Sequence, residues 1–374
     1  MKKLLLVTDV MSVGGVETVI VNTLQGLNYS KFDVTLFIMY KTNEEKENLK
    51  KIPDKVKIKY LFKEPPAGYL QIALYYLFMF FPPAIMNKLI VKEPFDIIIT
   101  TKDVFTYPIS ANTCKKIMWV HGGLEHLKSD RLTFSNKLKY AFKKIRYGRF
   151  DKIILLTNSA KENFCSKFPF ESKCIILANP INTVKIEKLS KEPVKDYTFN
   201  ENLTIVCSSR LSIEKGVERL IKSCEILLKE GYNFNLLILG DGPEKLKLEQ
   251  LIEKDPLLRE KITMLGFRKN PFKYMSKSSL YISPSFTEGY SLSIAEAIIL
   301  GLPIIGTDCD GNAAVLDNGK YGLLVENSES GIYVGLRKML SSSHLLLEYR
   351  LKSQERQEFF SYEKNIKLLE KIIS

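Results

Sequence analysis

Short apolar runs alternate along this chain with longer stretches in which apolar residues recur at helical spacing. Runs rich in Val, Ile and Leu at 4–8, 34–39, 96–100, 117–120 and 153–157 read as strands, as do 203–207, 235–239, 262–265, 280–283 and 303–306. Between them, 217–230 and 291–300 carry helical periodicity. Strand–helix alternation with nearly continuous apolar strands predicts parallel sheets covered by helices on both faces. The alternation pauses in a charged stretch. Residues 185–202 therefore read as a linker between an α/β domain at 1–184 and a second at 203–350. A helical tail at 351–374 has Ile366, Leu369 and Ile373 at helical spacing.

Two doubly wound domains suit a chain of 374 residues. With 45% apolar and 26% charged residues the composition is globular, which excludes a disordered or fibrous protein. The six cysteines form no CxxC pair and no zinc-like spacing with histidine, so reduced thiols and no metal are expected. Residues 4–7 are too short an apolar run for the core of a secretion leader and read as the first strand. The apolar run 69–81 would make a helix of roughly 20 Å, short of the ~30 Å hydrocarbon core of a membrane. It can pack in a core or lie on a lipid surface.

Charge changes the picture further. The net charge of +13 points to an anionic partner. Residues 115–152 hold eleven Lys/Arg against three Asp/Glu. Together with 69–81 they predict docking on an anionic membrane surface, hence a cytoplasmic protein peripheral on the inner face of the cell membrane. No nucleic-acid-binding module accompanies the charge.

In open α/β sheets ligands bind outside the carboxyl ends of strands, so the loops there hold the candidate chemistry. After the first strand, Gly14 and Gly15 open a helix, either as a tight turn or to let its amides approach an anion. After 203–207, Arg210 and Lys215 suit a diphosphate, as a forked donor and a point charge. Gly240 and Gly242 follow 235–239 and permit close backbone approach. His121, one of only three histidines, ends a strand before a double glycine and is read as a site residue.

The most informative stretch is 283–308. Glu288 precedes a helix and Glu296 lies within it, with Ser293 and Glu296 expected to form a capping box. A helix across that spacing would part the two acids by roughly 12 Å, too far to share one glycosidic bond. They would instead touch different parts of one extended ligand, with the amides of Gly289, Tyr290, Ser291 and Leu292 between them as an anion site. Asp308 and Asp310 form a DxD that reads as loop chemistry rather than a metal pair.

This combination resembles the retaining glycosyltransferases of family 4. Glu288 and Glu296 match the family's E-x7-E, Gly14-Gly15-Val16-Glu17 its GGxE, and Arg210-Leu211 with Lys215-Gly216 its diphosphate loop. Gly240 to Pro243, Leu265-Gly266-Phe267 and the segment 319–325 match as well. The resemblance implies a GT-B fold: two Rossmann-like domains facing a cleft, with the final helix crossing back to the first. It implies a nucleotide diphosphate sugar as donor, with UDP expected, and transfer with retention and no metal or other cofactor. Arg210 and Lys215 would hold the diphosphate, Glu288 the donor sugar, and Glu296 the ribose. The Gly289–Leu292 amides would add phosphate or sugar contacts, and Leu265, Gly266 and Phe267 would flank the base. His121 would approach the sugar, and Gly14, Gly15 and Glu17 would line the acceptor side. The acceptor expected is a glycan or lipid-linked sugar of bacterial-type surface polysaccharide synthesis. The competing readings are a sugar- or lipid-binding partner without activity, and a nicotinamide dehydrogenase, which lacks its GxGxxG here.

Overall fold

A computed structural model describes residues 1–12, 14–42, 45–66, 69, 73–74, 76–77, 81–121 and 134–374, with the backbone alone for 134–139. The chain divides into two units, residues 1–180 with 362–374, and residues 181–361.

Among the described residues the first unit is built on seven strands: β1 (Lys2–Thr8), β2 (Phe32–Tyr40), β3 (Lys57–Phe62), β4 (Ile97–Thr100), β5 (Lys115–Trp119), β6 (Lys152–Leu155) and β7 (Cys174–Ile176). They form one parallel sheet in the order β3-β2-β1-β4-β5-β6-β7. The second unit has β8 (Leu203–Ser208), β9 (Phe234–Leu239), β10 (Ile262–Gly266), β11 (Leu280–Ser283), β12 (Ile304–Thr307) and β13 (Leu323–Val325). Its parallel order is β10-β9-β8-β11-β12-β13. Counted within each unit, both sheets begin 3-2-1-4-5-6, the order of a dinucleotide-binding sheet, with a switch point between the first and fourth strands.

The apolar runs are continuous because both faces are covered. In the second unit Ile205, Cys207, Leu236, Ile238, Leu280 and Ile282 pack into one core. The alternate residues Val206, Leu237, Leu239 and Tyr281 pack into another. The helix Val217–Lys229 shows how the pattern is used: Val217, Leu220, Ile221, Cys224, Leu227 and Leu228 all enter the first of these cores. Each such fully buried aliphatic side chain contributes about 1.5–3 kcal/mol.

Three strands escape the apolar pattern, and all are sheet edges. β3 is exposed at its start, and the side chains of β7 are half-buried. β13 is three residues long. Incomplete burial and short length leave too weak a pattern to read.

The domain boundaries differ from those the pattern predicts. The supposed linker begins with a helix, Thr183–Ser190, capped by Asn182, whose Oδ1 accepts from Lys185 N at 2.9 Å. Ile186 enters a core of the second unit. Asn270 Nδ2 donates to Leu189 O at 2.8 Å, and Arg268 pairs with Asp196 at 2.9 Å. Residues 181–202 therefore belong to the second unit, and so do 351–361. The closing helix, Tyr362–Ile373, belongs to the first unit. There Tyr362 donates to Asn22 O at 2.6 Å and Glu370 accepts from Asn28 N at 2.8 Å.

Of the apolar run 69–81, residues 70–72, 75 and 78–80 lie outside the described residues. Tyr69, Tyr76, Leu77 and Phe81 are exposed, while Leu74 packs against the core. The basic stretch carries less surface charge than its count predicts. Arg146 Nη2 pairs with Asp103 at 2.6 Å, and Lys143 lies 3.4 Å from the same carboxylate. The buried Lys116 donates to Asn112 O at 2.8 Å. Buried cations need such partners.

Candidate functional site

The second unit gathers its chemistry on the loops after β8 and β11, the two strands that flank its switch point. The first loop starts at Ser209 and ends at Gly216, whose φ of 65° lies in the left-handed region. A Cβ there would sit 2.2 Å from Pro284 O, so only glycine lets the two loops meet. Arg219, one turn into the following helix, is buried and clamps the contact. Its Nε and Nη2 donate to Pro284 O at 2.9 and 2.5 Å, and Nη2 donates to Asn327 Oδ1 at 2.7 Å. The guanidinium lies 3.7 Å from the Phe286 ring centroid. Phe286 N donates to Glu214 O at 2.8 Å, which ties the loops a second time.

This framing brings Lys215 and Glu288 together, with Nζ 2.5 Å from Oε1. Ser285 Oγ donates to the same carboxylate oxygen at 3.0 Å. The backbone of Glu288 lies against Gly311, where a Cβ would come 2.5 Å from Glu288 O. Arg210 is exposed and makes no ion pair among the described residues. Gly240, with φ 149°, sits under Ser209 O, and its N–H donates to Gly266 O at 2.9 Å. Leu265 and Gly266 end β10, and Phe267 beyond them is 66% exposed.

The helix after β11 runs over Leu292–Ile299. Its cap is Ser291, whose Oγ accepts from Ile294 N at 3.4 Å, so the expected Ser293–Glu296 capping box does not form. Glu288 and Gly289 precede the helix, and the Tyr290 hydroxyl is buried without a partner among the described residues. The Glu296 side chain makes no hydrogen bond or ion pair among the described residues, and burial pushes its carboxyl up to about 7.

In the first unit the segments that follow β1, β4 and β5 carry Gly14, Gly15, Glu17, Lys102 and His121, with Gly15 and Glu17 in the first turn of a helix. Gly14 caps the helix Gly15–Gly26, and a Cβ on it would lie 2.2 Å from Glu17 Oε2. Glu17 is buried, with Lys102 Nζ 3.6 Å from its Oε1 and 3.3 Å from Asp9 Oδ1. His121 is 7% exposed and packs on Trp119 with ring centroids 4.8 Å apart. Burial, and after it the charge of Lys102, push the imidazole down to about 3. Gly122 and Gly123 lie outside the described residues.

The structure thus joins Lys215 to Glu288 and Gly240 to Gly266 in one unit, and Gly14 to Glu17 in the other. Sequence reasoning missed Ser285, Arg219, Asn327, Gly311 and Lys102. Of these only Ser285 had a local signal, three residues before Glu288. Among the described residues no group of three His, Cys, Asp or Glu side chains could hold a metal ion. Among them, too, no helix is long and apolar enough to cross a membrane.

The family model "Glycosyl transferases group 1" matches residues 190–357, and "Glycosyltransferase Family 4" matches residues 13–185. The chain belongs to the group 1 glycosyltransferases of the family 4 type. It is 34% identical over 207 residues to an uncharacterised glycosyltransferase of Methanocaldococcus jannaschii, covering 54% of this chain and 50% of that one. It is 30% identical to the N-acetylgalactosamine-N,N'-diacetylbacillosaminyl-diphospho-undecaprenol 4-alpha-N-acetylgalactosaminyltransferase of Campylobacter jejuni, over 57% of each chain. The chain thus spans about half the length of these curated relatives. In fold it matches Anabaena HepE, solved in complex with UDP, at a TM-score of 0.72 and 15% identity over 100% of this chain and 99% of that one. Both sheets therefore belong to a GT-B fold.

Proposed function

We propose that the chain is a retaining glycosyltransferase that moves a hexosyl group from a UDP-sugar to a glycan or lipid-linked acceptor, without a metal. The contact of Lys215 with Glu288, held between two loops at the switch point, carries this reading. A cation already seated beside an acid suits a donor whose diphosphate and sugar meet at one bond. As the bond from the anomeric carbon to the diphosphate oxygen breaks, the leaving group gains negative charge. Arg210 and Lys215 offset that charge most in the transition state. The acceptor hydroxyl forms the new C–O bond on the face the diphosphate leaves and gives its proton to a departing phosphate oxygen. Glu288 orients the sugar and Glu296 the ribose, with the Gly289–Leu292 amides on phosphate or sugar and Leu265 to Phe267 at the base. The Campylobacter relative's lipid-diphosphate acceptor and HepE's UDP support the choice of substrates.

The test is a thermal-shift screen with UDP-, GDP- and ADP-sugars, with and without EDTA, followed by the anomeric configuration of the product. A donor at 100 times its Kd adds about 2.7 kcal/mol of stability. A rise with a UDP-sugar that EDTA leaves intact is expected, and Lys215→Met should lower kcat by about 100- to 1000-fold. A rise with NAD alone, or an inverted product, would overturn the reading.

Membrane docking belongs to the same proposal. Ile85 and Leu89 on the helix Pro83–Ile90 are exposed four residues apart, and Phe142 and Ile145 are exposed on the basic helix Phe134–Gly148. Co-sedimentation with anionic but not neutral vesicles, lost in high salt, is expected. Equal binding to both vesicle types would remove it.

A further inference from the structure

Polar atoms without partners gather at the carboxyl end of the first sheet. Trp119 Nε1, both ring nitrogens of His121 and Asn179 Oδ1 are buried and complete no hydrogen bond among the described residues. The residues are 1%, 7% and 2% exposed. His121 follows β5 and Asn179 follows β7, so the two flank β6. Val120 N donates to Ile154 O at 3.0 Å and Leu177 N to Leu155 O at 2.9 Å, which fixes both flanks to that strand. Asn179 stands close enough to the imidazole to favour its protonated form, although neither side completes the bond. Contacts of this kind often tighten only when a site fills.

Among the described residues the charges near the ring are Lys102 and, through it, Asp9 and Glu17. A buried imidazole beside a lysine stays neutral, and so has one N–H and one lone pair. Which nitrogen carries the proton is set by the partner of the other. Asn179 Oδ1 can only accept.

We propose that Asn179 is a positioning residue for His121: it takes the imidazole N–H, so that the other ring nitrogen meets the ligand as a hydrogen-bond acceptor. A lone pair there takes a hydroxyl group and repels a phosphate or carboxylate oxygen. The uncharged, hydroxyl-bearing part of the substrate therefore belongs at this position. The identity of that ligand rests on the glycosyltransferase reading, but the tautomer does not.

The experiment is a long-range 1H–15N spectrum of the full chain labelled at histidine, at pH 7, with His126 and His344 as internal references. Wild type should show His121 as one neutral tautomer, and Asn179→Ala a mixture of two. With the donor found above, kcat should fall about 10- to 100-fold while donor KM moves little. Asn179→Asp keeps the acceptor, so it should keep one tautomer and raise the pH at which His121 titrates. Should Asn179→Ala fail to fold, Asn179→Ser repeats the spectrum with the polar group drawn back from the ring. An unchanged His121 tautomer in the folded variant, even with a lowered Tm, overturns the proposal. A tautomer change in a chain that transfers no sugar would sustain it and refute the glycosyltransferase reading instead.

Discussion

The carboxyl ends of the two sheets carry similar chemistry in opposite states. In the second unit the loops are tied before any ligand arrives: Arg219 holds Pro284 O, Gly216 admits the contact, and Lys215 already has Glu288. In the first unit Lys102 is paired, but His121, Trp119 and Asn179 hold polar atoms with no partner among the described residues. A preorganised charged site recognises by competing for an ion it already holds. An unsatisfied polar site recognises by completing hydrogen bonds whose absence is costly.

The sharpest way to break this contrast is at Gly216. Gly216→Ala forces a side chain onto Pro284 O in a left-handed backbone, at a cost of about 3 kcal/mol. A lowered urea midpoint and lost UDP-sugar binding are expected. Unchanged values would mean the loops are not locked.

Asp103 tests the supports of the first unit. Burial alone would raise its carboxyl, but Arg146, Lys143 and the Tyr147 hydroxyl hold it below the usual range. Asp103→Asn strands the buried Arg146 guanidinium, and should cost about 2–3 kcal/mol near neutral pH, less than a fully buried pair would. The carboxylate's contribution is complete above its unfolded value and lost as pH falls through the lower folded one. The gap between variant and wild-type stability should therefore close on acidification below about pH 4.

Glu296 offers the smallest effect and the finest test. Its folded value near 7 stands above the ordinary 4.5. Its ionisation therefore destabilises the fold as pH rises from 4.5 through 7. Glu296→Gln should be more stable than wild type above pH 7, by about 1–2 kcal/mol once the ~3 kcal/mol of the full difference is discounted for a half-buried side chain, and equal to it below pH 4.5. Donor affinity should strengthen through pH 7 in wild type only, if the carboxylate binds the ribose. A variant whose stability tracks wild type across this range would place Glu296 in water.

Much of this was legible in the residues. Ten of the thirteen strands among the described residues stand out, nearly all because strands covered on both faces must be apolar throughout. Glu288, Arg210, Lys215 and His121 could be found because each follows such a strand. Three of the four edge strands were not legible, nor was the helix in the supposed linker. Its anchors, Asn270 and Arg268, come from 72 to 81 residues away. Local pattern reports burial and turn chemistry, and it is silent about partners remote in sequence.

The same division holds for the chemistry. Sequence by itself determined the α/β class, the loops that carry the candidate residues and the family, because alternation and loop residues are local quantities. Tertiary structure alone decided that Lys215 meets Glu288, that Arg219 faces inward, that Arg146 is consumed by Asp103, and that Asn179 stands beside His121. Each is a pairing of groups 43 to 73 positions apart, and charge, burial and hydrogen bonding depend on distance in space.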